Sequence, residues 1–194
     1  MTALPIVETE AQDISAYIPT NLISITDGQI YLSPNLFELG VLPAIDVVQS
    51  VSRVGGQAQR PTFGTLAGNL KLAYSQFEEL ESFARFGARL DDETRRVIDH
   101  GRRIRACLKQ GEYARVSVAG QVLLLVALTS GLLDGVDLEQ MVLAEAAIQR
   151  TAGRIPKDVL ARFETQHKFS DDDRNRLVEL ARTALGPSAH HNQP

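Results

Sequence analysis

Up to about residue 60, apolar residues fall in short β-branched runs broken by turn formers; beyond it they recur at intervals of three and four. In the first part, Ala3 to Glu8 reads as a short strand. Leu22 to Thr26 and Gln29 to Leu32 flank Asp27-Gly28, the composition of a hairpin turn, because glycine tolerates positive φ. Ser33-Pro34-Asn35 opens a short helix, Leu36 to Leu39, closed by Gly40. After Pro43, Ile45 to Val51 reads as another strand that Gly55-Gly56 ends. In the second part, Leu66, Leu70, Ala73, Phe77, Leu80 and Ala84 share one helix face, with Gly87 as the stop. Asp91 or Asp92 caps a charged helix carrying the stripe Val97, Ile98, Ile104 and Leu108. Val116 to Leu128 reads as a buried helix, Asp137 to Arg150 as the next, and Pro156 suits the first turn of a short helix through Phe163. The last helix starts at Ser170, with Asp173 three residues on as a variant capping box, and Gly186-Pro187 ends it.

This pattern predicts an α/β remnant followed by an all-α helical bundle, divided as residues 1–60, 61–187 and a disordered tail, 188–194. Three or four short strands with little helix between them cannot cover both faces of a sheet, so the first part reads as a piece of a larger α/β layer.

Composition narrows the function classes. The protein has 194 residues, 44% hydrophobic and 23% charged, with net charge −4, which excludes disorder and argues against a general nucleic-acid binder. A single cysteine, Cys107, excludes an internal disulfide framework and a multi-cysteine metal site. The start, MTALPIVETE, has neither the basic region nor the apolar core of a signal peptide. The longest strongly apolar run, Val122 to Leu128, falls far short of the ~20 residues that span a bilayer, so any membrane link is indirect.

Catalytic signatures are few. There is no GxxxxGK[ST] loop, GxSxG, HExxH or CxxC. His100, His167, His190 and His191 show no ligand spacing, and no metal site is expected. Cys107 on an amphipathic helix reads as a small buried hydrophobe rather than a nucleophile. The segment Ser50-Val-Ser-Arg-Val-Gly-Gly56 places Arg53 at the end of an apolar strand, where α/β sheets bind ligands; the bland alternative is a surface arginine at a turn.

Longer runs of residues carry a specific resemblance. Ser15-Ala-Tyr-Ile-Pro-Thr-Asn21, Ile23-Ser-Ile-Thr-Asp-Gly-Gln-Ile30, Pro43-Ala-Ile45 and Ser50-Val-Ser-Arg-Val-Gly55 resemble the alpha subunits of F-type ATP synthases. Ala67-Gly68, Phe83-Ala-Arg-Phe-Gly87 and Leu108-Lys-Gln-Gly-Glu-Tyr113 extend the match over nearly the whole sequence, more weakly after about residue 130. Only the C-terminal two-fifths of such a subunit is resembled, from inside the nucleotide-binding domain, after its phosphate loop and magnesium-positioning strand. The resemblance therefore implies the C-terminal strands of a RecA-like P-loop NTPase sheet, normally parallel, ahead of the family's helical domain.

Functionally, the resemblance implies a noncatalytic, regulatory alpha subunit, or a fragment of one, in a rotary proton-translocating ATP synthase. Its partners would be beta and gamma subunits in a hetero-hexameric ring, peripheral to the cytoplasmic face of the bacterial plasma membrane, with no nucleic acid involved. ATP or ADP with Mg²⁺ would belong to the full complex; the chain alone is expected to bind neither and to be inactive. Arg53 matches the arginine finger that alpha lends to the catalytic site on beta, where its planar, permanently charged fork meets γ-phosphate oxygens. Ser24 aligns with a serine near the same phosphate pocket, the alternative being a strand hydroxyl bonded within the sheet. Pro43 and Gln110 match positions that hold adenine at the noncatalytic site. Leu42-Pro43 replaces the usual Arg-Pro, and Gln110-Gly111-Glu112 the usual Gln-x-Gln, so that pocket is expected to be weakened. Arg60-Pro61-Thr62-Phe63-Gly64 also departs from the family, and Pro61 with Gly64 is expected to delay the helix start; this divergence suggests an accessory ATPase. Two alternatives remain: a freestanding helical interaction module, and a nonfunctional truncation product.

Overall fold

The computed structural model describes residues 3–57, 59–85, 90–164 and 170–186. Two compact units divide the protein, Met1–Gln57 and Ala58–Pro194.

In the first unit the run at Ala3 to Glu8 forms no strand: Leu4 and Ile6 are 83% and 95% exposed. A further correction concerns Leu22 to Thr26, which belongs mostly to a helix, α1 (Tyr17–Ile25), rather than to a hairpin strand. Pro19 falls in the first turn of α1, where an N–H would have no intrahelical partner, so proline is tolerated despite the β-branched residues that follow. Asp27-Gly28 then turns the backbone from α1 into β1 (Gly28–Leu32). Next comes α2 (Pro34–Glu38), whose N-cap Ser33 accepts from the Leu36 amide, and then β2 (Ile45–Ser52), after a cis Leu42–Pro43 peptide. Among the described residues the sheet has two strands, and they pair antiparallel, not as neighbours in a parallel sheet. An α/β remnant followed by a helical unit is nevertheless the architecture observed.

The pairing of β1 and β2 is irregular. Leu32 faces Ile45 and Tyr31 faces Asp46, whereas Gln29 faces Val51 and Gly28 faces Ser52. Between the inner pairs β1 contributes Ile30 alone and β2 contributes Val47, Val48, Gln49 and Ser50. Gly28 is required where the strands close again, because at φ 150° an added Cβ would lie 2.2 Å from the Val51 carbonyl oxygen.

The second unit is helical. α3 (Pro61–Arg85) begins at Pro61, against the delayed start expected from Pro61 and Gly64; proline preorganises a first turn that needs no N–H there. Gly87 lies outside the described residues. α4 (Asp92–Leu108) is capped by Asp91, whose carboxylate accepts from the Thr94 amide at 2.7 Å. α5 (Val118–Thr129) runs through the core with Val122, Leu123, Val126 and Ala127 fully buried, touching α3, α6 and α8. Its apolar surface on all sides follows from that central place. α6 (Met141–Thr151) follows a 3₁₀ turn, and α7 (Lys157–Glu164) starts just after Pro156.

α8 (Asp171–Leu185) is capped by Ser170, which accepts from the Asp173 amide. The Asp173 carboxylate takes both a 2.9 Å and a 2.7 Å bond from Arg162 on α7, a bidentate pairing that joins the two helices. Gly186 at φ 67° ends α8, and residues 187–194 lie outside the described set, His190 and His191 with them.

The tightest joint in this unit lies between α3 and α4. Gly101 allows the α4 backbone against the fully buried Phe77 ring, and the Arg105 guanidinium covers the ring 4.5 Å from its centroid. Arg105 also donates to the Tyr74 hydroxyl and, at 2.7 Å, to the Glu81 carboxylate, so its charge is satisfied where it is half-buried.

Candidate functional site

Arg53 follows directly on the end of β2. Its backbone N–H donates to the Asp27 carbonyl at 2.7 Å, beside the closing pair Gly28–Ser52. Its guanidinium turns toward the C-terminal end of α1, where Nη1 donates to the Ser24 carbonyl at 3.1 Å and Nη2 to the Ile23 carbonyl at 2.9 Å. Those are carbonyls that a helix end leaves without intrahelical donors, and the partial negative charge there favours a cation. The side chain is exposed and has no carboxylate partner among the described residues. This contrasts with Arg105 and Arg162, both bonded to carboxylates.

Arg53 and Ser24 are thus brought together, although through the serine backbone. The Ser24 hydroxyl is exposed on a helix and donates to the Asn21 carbonyl at 2.7 Å, which corrects the expectation of a strand hydroxyl within the sheet. Pro43 is exposed in the connection to β2. Gln110, in the second unit, is exposed as well, and its amide donates to the Ala114 carbonyl inside its own turn. Cys107 is buried as expected of a small hydrophobe; burial, with the Glu145 charge as a lesser cause, pushes its thiol up to about 12.

Sequence reasoning missed Asp46, which holds the irregular part of β2. One of its carboxylate oxygens accepts from the Val48 and Gln49 amides at 2.9 and 2.8 Å, and the other accepts from the Gln49 side chain at 3.0 Å. The Ser50 hydroxyl donates to the Asp46 carbonyl and accepts from the Tyr31 amide, tying the excursion to β1. A lone carboxylate inside the apolar run Ile45-Asp46-Val47-Val48 was the available signal, since a strand face has no use for it.

Among the described residues no group of three or more His, Cys, Asp or Glu side chains could hold a metal ion, and no helix is long and apolar enough to cross a membrane.

Comparison with known proteins shows the family. Residues 59–184 match the C-terminal domain of ATP synthase alpha and beta subunits, and residues 1–52 match the nucleotide-binding domain of the same family. The protein belongs to the ATP synthase alpha/beta family. It is 65% identical over 185 residues to ATP synthase subunit alpha 2 of Albidiferax ferrireducens, an alignment covering 95% of this sequence and 35% of that protein. Against ATP synthase subunit alpha 2 of Polaromonas naphthalenivorans it is 64% identical, over 96% of this sequence and 36% of the relative. Against subunit alpha 1 of Shewanella frigidimarina the identity is 62%, over 98% and 37%. The protein spans little more than a third of the length of these curated relatives.

Proposed function

We propose that this protein is an alpha-type subunit, or part of one, that donates Arg53 in trans to a catalytic nucleotide site on a beta-type partner. The observation that carries this reading is the state of the Arg53 guanidinium: exposed and, among the described residues, bonded to two neutral carbonyls. A fork of this kind, without a counter-ion, is free to exchange its acceptors for the oxygens of a phosphoryl group as charge redistributes during transfer. Ser24, at the same helix end, would border that phosphate. Similarity to ATP synthase alpha subunits supports the choice of partner class.

In this reading beta and gamma subunits complete a hetero-hexameric ring on the cytoplasmic face of the plasma membrane, coupled to proton movement through membrane subunits. In this reading ATP or ADP with Mg²⁺ is bound by the complex. Gln110, which by resemblance would serve the adenine of a weakened noncatalytic site, already has its amide engaged in its own turn. The domains divide as 1–60 and 61–187, with the proposed tail, 188–194, outside the described residues.

The test is co-expression with the beta and gamma subunits of the same source, followed by ATP turnover of wild type, Arg53→Ala and Arg53→Lys. Intact assembly with turnover reduced by about 10³ or more in Arg53→Ala is expected, and Lys should recover little because it lacks the fork. Normal turnover in Arg53→Ala would remove the assignment. One observation favours the helical interaction module instead: Leu138 in the 3₁₀ turn before α6 and Val142 and Leu143 in its first turn are exposed, and Leu143 borders a shallow groove shared with Ala184 and Leu185 of α8. Partner binding that survives Arg53→Ala but is lost in Val142→Asp/Leu143→Asp would support that second reading.

A further inference from the structure

We infer that Asp46 is a positioning residue for Arg53. This rests on the reading of Arg53 given above and adds what fixes its place. A regular antiparallel continuation from the pairs Leu32–Ile45 and Tyr31–Asp46 would set Gly28 opposite Gln49. Instead Gly28 meets Ser52, so β2 advances three residues further than β1 over the same stretch. At ~3.3 Å per residue, the excursion draws Arg53 back along the sheet by roughly 10 Å. Because three is odd and side chains alternate, it also exchanges the faces on which the residues after it point. Both effects are needed for the Arg53 amide to reach Asp27 and its guanidinium to reach Ile23 and Ser24.

Backbone left unpaired in this way needs other acceptors and donors. Asp46 supplies most of them. Its carboxylate takes three N–H bonds from Val48 and Gln49, and its own carbonyl accepts the Ser50 hydroxyl that receives the Tyr31 amide. The Gln29 side chain donates to the Gln49 carbonyl from the opposite strand. Asp46 is 9% exposed, so water is a poor substitute for these bonds. The carboxylate touches no part of Arg53; it acts by holding the excursion at three residues, and thereby the reach and face of the finger.

Two measurements test this. On the 194-residue protein, amide hydrogen exchange is compared for wild type, Asp46→Ala and Asp46→Asn. Asp46→Ala should speed exchange at Val48 and Gln49, and with them at Tyr31 and Arg53, by at least tenfold. Asp46→Asn keeps an acceptor oxygen for the two backbone amides and should restore most of the protection. Arg53 protection unchanged while Val48 and Gln49 are released would overturn the proposal.

In the complex with beta and gamma subunits, Asp46→Ala should lower kcat by about 10²-fold with KM nearly unchanged, as a misplaced transition-state group does, and Asp46→Asn should rescue it. On an Arg53→Ala background, Asp46→Ala should cost nothing further. An equal loss on both backgrounds would mean that Asp46 supports the fold alone, and would overturn the positioning role. If Arg53→Ala itself turns over normally, the failure lies with the arginine-finger reading, and the exchange result still decides whether Asp46 fixes the place of Arg53.

Discussion

Gly101→Ala sets helix propensity against packing, and the two predict opposite signs. In an ordinary helix interior this substitution stabilises by about 1 kcal/mol, because alanine restricts the unfolded backbone and glycine does not. Here the new Cβ would lie 2.0 Å from Cγ and 2.3 Å from Cβ of Phe77, a side chain with no exposed surface. Those atoms are the stem of the ring rather than a free end, so relief requires α3 and α4 to move apart by roughly an ångström or more, to restore ordinary carbon–carbon contact. Overpacking of this degree costs about 3 kcal/mol or somewhat more, toward the upper end of the usual range. Moving Phe77 also takes the ring away from Arg105 and strains the Arg105–Glu81 bond. The net expectation is destabilisation by about 2 kcal/mol, the packing cost less the propensity gain. Urea unfolding of the protein, followed by helical circular dichroism, should show the midpoint fall without a change in slope. A Phe77→Ala background removes the obstruction, and there Gly101→Ala should become neutral or stabilising, an interaction of the size double-mutant cycles resolve. A rise in midpoint for Gly101→Ala in the wild-type background would refute the close packing of these helices.

Further outcomes are expected elsewhere. The Arg162 bonds hold the Asp173 carboxyl below the usual carboxylate range; its contribution is present above the unfolded value near 4 and lost as pH falls through the folded one. Urea midpoints should therefore drop from pH 5 to pH 3, and Asp173→Asn should lower the midpoint at pH 7 while flattening that drop. The Cys107 thiol, pushed up to about 12 by burial, should resist a thiol-reactive mass tag at pH 8 in the native protein and react once it is unfolded in urea; rapid native labelling would contradict its burial.

Features decided within a few residues were legible in the sequence. Ser33, Ser170 and Asp91, the first of the two candidates Asp91 and Asp92, cap helices, because the accepting side chain and the donating amide lie three positions apart. Helical spacing likewise located α3 to α8. Two features of the first unit were not legible, since each depends on residues far away in sequence. The isoleucine- and threonine-bearing run Leu22-Ile-Ser-Ile-Thr26 favours a strand on its own, yet its helical carbonyls are met by a guanidinium about 30 residues later. The Ala3 to Glu8 run is equally strand-like but has no ladder partner among the described residues. The family resemblance pointed to Arg53, whereas periodicity gave no hint that β2 carries three residues more than β1 over one stretch, because an alternating pattern does not record register.

Arg53 is held by two acceptors without net charge, and this sets how firmly it rests. Each bond contributes on the order of 1 kcal/mol net, enough to keep a long side chain from wandering among its rotamers. A carboxylate in their place would form a counter-ion that an incoming anion had first to dislodge. In the proposed role, a phosphoryl group would displace only dipoles, and the two oxygens it freed would be left at the end of α1. On that proposal the last turn of the helix would report what the arginine is holding: its carbonyls covered when the fork rests on them, bare when the fork is engaged elsewhere.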